Sequence, residues 1–360
     1  MQLSLLAIDW VLFLDKVILV AIILLLSLFV AMYETWAERK VAALMQDRRG
    51  PNRAGPGGIL QPLADGLKLF MKEEVIPGTS NRFLFVLGPG LAMLTAMLTS
   101  AVVPWSSFFN IHGRHVDLQI ADVNIGLLYI FGVVSMGVYG VMIGGWASNN
   151  KFSLLAAVRG ASQIISYELA MGLSIIALLM ITGSLSLRTI VEQQQHSGWY
   201  NIVWQPLGFL IFLVCAFAEC NRTPFDLSEA DSELNMGFHL EYSSMKLGFY
   251  LFSEYVNMFI SSAVMATLYF GGYDIPFVND ASLAQHWGQN PVAIIQAVVF
   301  FAKIALFILF FMWVRWTVPR FRYDQLMRLG WKGLIPLAIF NMLITGFIVL
   351  WHANHWHLVK

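Results

Sequence analysis

The chain has 360 residues, 58% of them hydrophobic and only 12% charged, with no net formal charge and a mean hydropathy of +0.66. Soluble domains carry about 25% charged residues, so half that share places this chain in a bilayer, and zero net charge excludes nucleic-acid binding as its main business. Two cysteines, Cys215 and Cys220, in no CxxC pair exclude a cysteine-ligated iron–sulfur cluster held by this chain alone and a disulfide scaffold. The absence of GxGxxG and GxxxxGK(S/T) removes any nucleotide fingerprint.

Crossing the hydrocarbon takes about 20 apolar residues in a helix. Eight segments qualify, near 11–35, 83–104, 123–147, 161–183, 202–218, 246–270, 292–314 and 333–352. The expected fold is therefore an all-α integral membrane protein. The first span is preceded by acids (Asp9, Asp15) and no basic region, so it reads as an uncleaved span, not a signal peptide. After it comes a connection from Glu38 to Pro77, rich in Gly and Pro over RRGPNRAGPGG. Its second half, Ile59 to Lys72, puts Ile59, Leu63, Leu67 and Phe70 on one helical face. That pattern fits an amphipathic helix at the membrane interface, or a core helix of a small extramembrane lobe. Gly140 and Gly144 in the third span have the spacing of a close helix contact. Eleven of the twelve tryptophans stand at or near proposed span ends, as interfacial rings do. Seventeen Lys and Arg residues fall in the odd-numbered connections and four on the opposite face. The positive-inside rule then puts those connections in the cytoplasm and both termini outside. No repeat or long linker divides the chain, so a single polytopic domain is expected.

The most polar long segment is AECNRTPFDLSEADSELNMGFHLEYSSMKLGFYLFSEY, from Ala218 to Tyr255. Between Glu219 and Glu241 it holds six carboxylates (Glu219, Asp226, Glu229, Asp231, Glu233, Glu241) against the cation Arg222. Acids this dense repel one another, which raises some pKa values toward neutrality. A solvated acidic loop is the bland alternative; the particular mixture Asn221-Arg222-Thr223-Pro224-Phe225-Asp226 favours a site. Ionisable groups inside spans are costly and functional by default. Here they are Glu34 and Glu38, four apart on one helix face, Glu168, Glu254 and the mid-span Lys303. Lys303 needs either a lowered pKa or a carboxylate partner. Tyr167 and Tyr255, beside Glu168 and Glu254, are candidate hydrogen-bond donors. Together these groups read as a protonatable line leading from the acidic loop into the bilayer. Seven histidines lie outside the spans on the non-cytoplasmic face, including those of the tail HANHWHLVK, to which no metal site is assigned. His239 alone sits within the acidic stretch.

Several long stretches now carry a resemblance. AECNRTPFDLSEADSE with GFHLEYS, ERKVAALMQDRRGPNRAGPGGILQPLADGLKLFMKE, RGASQIISYE and PRFRYDQLM closely resemble one membrane-arm subunit of respiratory complex I, the H-type subunit of bacteria and subunit 1 of mitochondria. The likeness runs in order from about Glu34 to Leu334. It implies a subunit of proton-translocating NADH:quinone oxidoreductase, not catalytic alone, at the junction of the redox arm and the pumping arm. Quinone is then the substrate, and FMN and iron–sulfur clusters belong to partner subunits, among them iron–sulfur and antiporter-like chains. By the same resemblance, Arg39, Gln61, Pro62, Asp65, Lys68, Phe70, Arg222, Phe225 and Phe238 are expected at the quinone chamber. Glu34, Glu38, Glu168, Glu219, Asp226, Glu229, Asp231, Glu233, Glu241, Glu254 and Lys303 are expected to form the proton relay, with Arg159 before Glu168. The sequence departs from the family pattern at Cys220, at Glu229-Ala230-Asp231, at Asn235-Met236 and at His239. Length and terminal extensions favour a bacterial inner membrane over a mitochondrial one.

Two alternatives stay open. Related subunits serve membrane-bound hydrogenases and formate hydrogenlyases, although GPNRAGPGGILQPLAD resembles the quinone-using branch. A stand-alone ion-coupled transporter would also bury acids, but no internal repeat or matched pair of broken helices is found.

Overall fold

The computed structural model describes residues 10–111, 114–229, 231–276, 278 and 280–355. Helix α1, Trp10–Met45, contains neither Pro nor Gly and runs for 36 residues. At 1.5 Å per residue that is about 54 Å, well beyond a hydrocarbon core of about 30 Å. Its last turns therefore project past the membrane and carry Glu38, Arg39 and Lys40, which the sequence places in the following connection. The connection proper begins at Gln46. Helix α2, Gln61–Met71, is the expected amphipathic helix, with Pro62 in its first turn and Leu63, Leu67, Phe70 and Met71 exposed.

Helices α3 (Arg82–Thr99) and α4 (Gly126–Ala147) follow, joined through a hairpin of β1 (Phe108–Ile111) and β2 (Arg114–Asp117) that pairs Phe108 with Asp117. The pair Gly140 and Gly144 makes the contact its spacing predicts. A Cβ on Gly140 would come within 2.8 Å of the Ala92 nitrogen, and one on Gly144 would overlap the Tyr250 hydroxyl.

Helix α5 (Lys151–Thr182) starts ten residues before the expected boundary, because the Asn150 side chain caps it by accepting from the Phe152 N–H at 2.9 Å. Arg159 is thus helical. Helix α6 (Leu187–Ser197) lies at the end of the molecule away from the acidic loop. The fifth predicted span is broken: α7 (Asn201–Trp204) ends at Gln205, and α8 (Pro206–Glu219) restarts with Pro206 in its first turn. Its 14 residues rise about 21 Å, short of a full crossing. Seven helices among the described residues are long and apolar enough to span, and α8 is a shorter eighth.

Beyond the acidic loop and its short helix α9 (Asp231–Leu234) comes α10 (Ser244–Tyr269), the most thoroughly buried span. Next are α11 (Asp280–Trp287), α12 (Gln289–Thr317) and α13 (Tyr323–Arg328). A π-helical segment, Leu329–Leu334, runs directly into α14 (Ile335–His355). Every residue of α10 from Ser262 to Tyr269 is buried, packed with Phe212, Cys215 and Ala216 of α8 and Phe300 and Ile304 of α12 in one apolar core. By contrast, α1 shows Phe13, Leu14, Ile18, Ile22 and Leu25 outward, and α14 shows Phe340, Leu343, Phe347 and Leu350. Such surface is stable only against lipid or another apolar chain. The side chains of the histidine-rich tail lie outside the described residues, as does His112.

Candidate functional site

The acidic loop is folded, not free. Gln163 of α5, fully buried, donates its amide N–H to the carbonyls of Ala218 (2.9 Å) and Phe225 (2.6 Å). The Phe225 N–H closes a turn on the Arg222 carbonyl at 2.8 Å, and the Phe321 N–H reaches the Pro224 carbonyl at 3.2 Å. Farther on, the Phe238 N–H donates to the Ser228 carbonyl. Gly237 sits there at φ +80°, so tight against that carbonyl that a Cβ would fall 1.9 Å from it. Phe225 packs edge-on to Tyr167, and Phe238 edge-on to Tyr250. Both rings are buried in the core of the loop, 4% and 2% exposed.

This scaffold places Arg222 at the centre of a buried charge cluster. Its guanidinium lies over the Tyr255 ring at 4.1 Å and stands 3.9 Å from the Glu38 carboxylate. Glu38 also accepts from the Tyr255 hydroxyl at 2.9 Å and forms an ion pair with Arg315 at 2.6 Å. Glu34, one turn earlier on α1, is 4% exposed, and neither of its oxygens has a hydrogen-bond partner among the described residues. Asp226 pairs with Arg320 at 2.7 Å. Burial first, and then the neighbouring Glu229, lift the Asp226 carboxyl to about 7 despite the three arginines Arg320, Arg315 and Arg222. Glu229 goes the other way. Burial pushes it up, but the hydrogen bond to Glu254, then His239, Arg222 and Arg315, hold it below the usual carboxylate value. Five acids thus share three arginines, with Tyr255 as the donor that the sequence nominated.

The cluster extends inward. Glu254 and Glu219 line a cavity of about 50 Å³ together with Asn221, Phe238, Tyr250 and Ser253, a volume that admits a few water molecules. Beyond it, Glu168 lies close enough to Glu219 for direct charge interaction, and Ser135 of α4 donates to it. One connected series results, from Glu34 and Glu38 through Glu229 and Glu254 to Glu219 and Glu168.

Other expected residues sit elsewhere. Glu233 pairs with Arg159 at 2.9 Å at the rim, and Glu241 accepts from Asn150 at 2.8 Å. The side chain of Asp231 lies outside the described ones. Lys303 is held at the far end of α10, where its ammonium donates to the carbonyls of Phe270 (2.8 Å), Gly272 (2.9 Å) and Asp274 (2.7 Å). Its direct partners are main-chain carbonyls, not the carboxylate its mid-span position called for.

Helix α2 forms a separate wall. Asp65 joins Arg39 at 2.8 Å, accepts from Gln61 at 3.2 Å and lies 4.0 Å from Lys68. At its other end the Ser244 hydroxyl donates to the Leu69 carbonyl at 3.1 Å. Pro62 is buried and Phe70 is 69% exposed. Together α1, α2 and the start of α10 frame the approach to the charge cluster. Three cluster members escaped the sequence reading as site residues. Arg315 and Arg320 counted only as topological charges, and Gln163 carried no signal beyond being an amide in an apolar span.

A profile of the NADH dehydrogenase family matches residues 17–346. An H-type NADH-quinone oxidoreductase subunit of Cytophaga hutchinsonii is 65% identical over 337 residues, covering 94% of this chain and 97% of that protein. Its counterpart from Flavobacterium johnsoniae, of the same name, is 60% identical over 338 residues, 94% and 96% of the two chains. Another from Geobacter metallireducens is 46% identical over 331 residues, 92% and 95%.

Proposed function

Since the chain belongs to the NADH dehydrogenase family and is a membrane subunit of the multi-subunit NADH-quinone oxidoreductase, we propose that it walls the quinone chamber and carries a carboxylate relay from quinone to proton translocation. The quinone head approaches along α1 and α2, past Arg39, Gln61, Pro62, Asp65, Lys68 and Phe70, toward Arg222. The apolar tail stays between α1, α2 and α10. Phe225 and Phe238 support that end from within the loop. FMN and iron–sulfur clusters sit in partner subunits of the peripheral arm, and the antiporter-like subunits receive the signal. The distribution of Lys and Arg orients the acidic-loop end toward the cytoplasm of a bacterium, with both termini outside.

The observation that carries this reading is the unbroken buried series Glu34–Glu38–Glu229–Glu254–Glu219–Glu168, in which acids outnumber cations. Reducing a quinone to a quinol takes two electrons and two protons, so charge at the chamber changes in each turnover. Coupled carboxyls respond together, because their protons belong to the group and not to single residues. Glu38 and Tyr255, joined by a hydrogen bond, face the chamber side of that group, and Glu219 and Glu168 face inward. Surface acids such as Glu233 add charge at the rim without joining the series.

The test substitutes Glu219→Gln and Glu254→Gln in the whole complex. Each variant should assemble and retain NADH oxidation by a water-soluble acceptor. NADH:quinone turnover should fall at least about tenfold, the scale of one lost proton-transfer partner. Normal turnover and pumping in both variants would refute the relay.

A further inference from the structure

His239 belongs to the turn Gly237–His239 and is 6% exposed, its ring edge-on to Phe238. Its Nδ1 stands 3.4 Å from Glu229 Oε1. Neither atom has a hydrogen-bond partner elsewhere among the described residues. The two are held side by side by the backbone, through the Phe238 N–H on the Ser228 carbonyl and the close seat of Gly237 on the same carbonyl. At 3.4 Å the contact is long for an N–H···O bond, yet it is the one arrangement that satisfies both buried atoms. The other tautomer would set a ring lone pair against a carboxylate oxygen. Glu229 also forms a hydrogen bond with Glu254, and two carboxyls so joined need one proton between them.

We propose that His239 is a positioning residue for quinone turnover: its Nδ1–H engages Glu229 Oε1 and so keeps the shared proton of the Glu229–Glu254 pair on Glu254. The proposal rests on the relay reading above. Other charges act on the same pair. Arg222 and Arg315 favour an ionised Glu229, and Asp226 opposes it, with Glu38 behind Arg222. Helix α4 presents no ionisable acid or base, since Gly126–Ala147 contains no Asp, Glu, Lys, Arg or His. Helix α5 brings Arg159 and Glu168, which are engaged by Glu233 and Ser135. The Tyr242 and Tyr250 hydroxyls donate to the carbonyls of Gly144 and Gly140, so they do not compete for Glu229. Glu229 keeps its low pKa with His239 named among the causes. Without the imidazole N–H, the proton would move toward Glu229, and the pH dependence of the pair would move with it.

The experiment compares His239→Leu and His239→Asn with Glu254→Gln, all in the intact complex, reading NADH:quinone turnover from about pH 6 to about pH 8.5, the range where neutral-pH proton exchange is read. Asn keeps an N–H near the Nδ1 position but cannot titrate. The expected result is a His239→Leu variant about tenfold slower with its pH profile displaced by about one unit, the scale of one lost charge-assisted hydrogen bond, and a His239→Asn variant close to the parent. A parent-like rate and profile in His239→Leu, or no recovery in His239→Asn, would overturn the proposal. If His239→Leu fails to assemble, His239→Asn decides alone: a parent-like profile supports the role and a displaced one refutes it. A normal Glu254→Gln variant would sink the relay reading itself, whereas a defective Glu254→Gln beside a normal His239→Leu would sink this proposal only.

Discussion

The two ends of α10 handle buried charge in opposite ways. At the far end the Lys303 ammonium meets three carbonyls at 2.7 to 2.9 Å, which uses all three of its donors. At the acidic-loop end, both Glu34 oxygens, Glu254 Oε1, Asp226 Oδ1 and two nitrogens of Arg222 have no hydrogen-bond partner among the described residues. A saturated ion has one low-energy arrangement and acts as a fastener. An under-paired cluster in low dielectric has several arrangements of similar energy, and small charge changes redistribute its protons. The first end stabilises; the second can switch. Folding alone would favour satisfying or removing such groups, so their persistence at one end marks where stability is given up for function.

The largest effect expected from breaking this contrast is at Arg222. Arg222→Met removes the central cation and leaves Glu38, Glu229 and Glu254 facing one another. Uncompensating a buried pair costs about 3–5 kcal/mol. Complex assembled with this variant should be scarce in membranes and lack quinone reductase activity, which immunodetection and turnover assays would check. Normal amounts of active complex would mean that Arg222 is not the hub.

Lys303→Met comes next. It orphans three carbonyls at the end of α10, at about 1–3 kcal/mol for a buried unpartnered group. The assembled complex should melt at a lower temperature, while turnover per complex stays within about twofold, a minor change by that measure. A normal melting point with lost pumping would make Lys303 a relay member and erase the contrast between the two ends.

Asp226 gives the smallest effect. Its carboxyl is raised from 3.8 to about 7 in the folded chain, so between those values the folded state binds more protons than the unfolded one. Stability from this group is therefore fully present below about pH 4 and is lost as pH rises through about 7. The parent should lose thermal stability across that window more steeply than Asp226→Asn, with the two curves parallel above it. Equal slopes would contradict the assignment.

Much of this was legible in the residues. The spans followed from apolar runs, and Glu34 and Glu38 from their four-residue spacing, which puts both inside. The ends of helices were less legible. The polar turn Glu38-Arg39-Lys40 resembles a connection in hydropathy, yet these residues are good helix formers, and nothing stops α1 before Met45. The fifth span read as continuous because Gln205 and Pro206 lie inside an apolar run, and an apolar average hides a break. The partners of the cluster were least legible. Arg315 meets Glu38, and Arg320 meets Asp226 across 94 positions, and no local pattern encodes such pairings. Lys303 invited a carboxylate partner because carboxylates are visible in a sequence. Main-chain carbonyls belong to every residue and reveal nothing until the backbone is placed.

The central claim is that the buried carboxyls change protonation when quinone is reduced. Infrared difference spectroscopy of the intact complex, parent against Glu254→Gln, measures this directly. The account predicts a carboxyl C=O difference band on quinone reduction in the parent that is lost or displaced in Glu254→Gln. An identical carboxyl region in the two, or no carboxyl band in the parent, would contradict it.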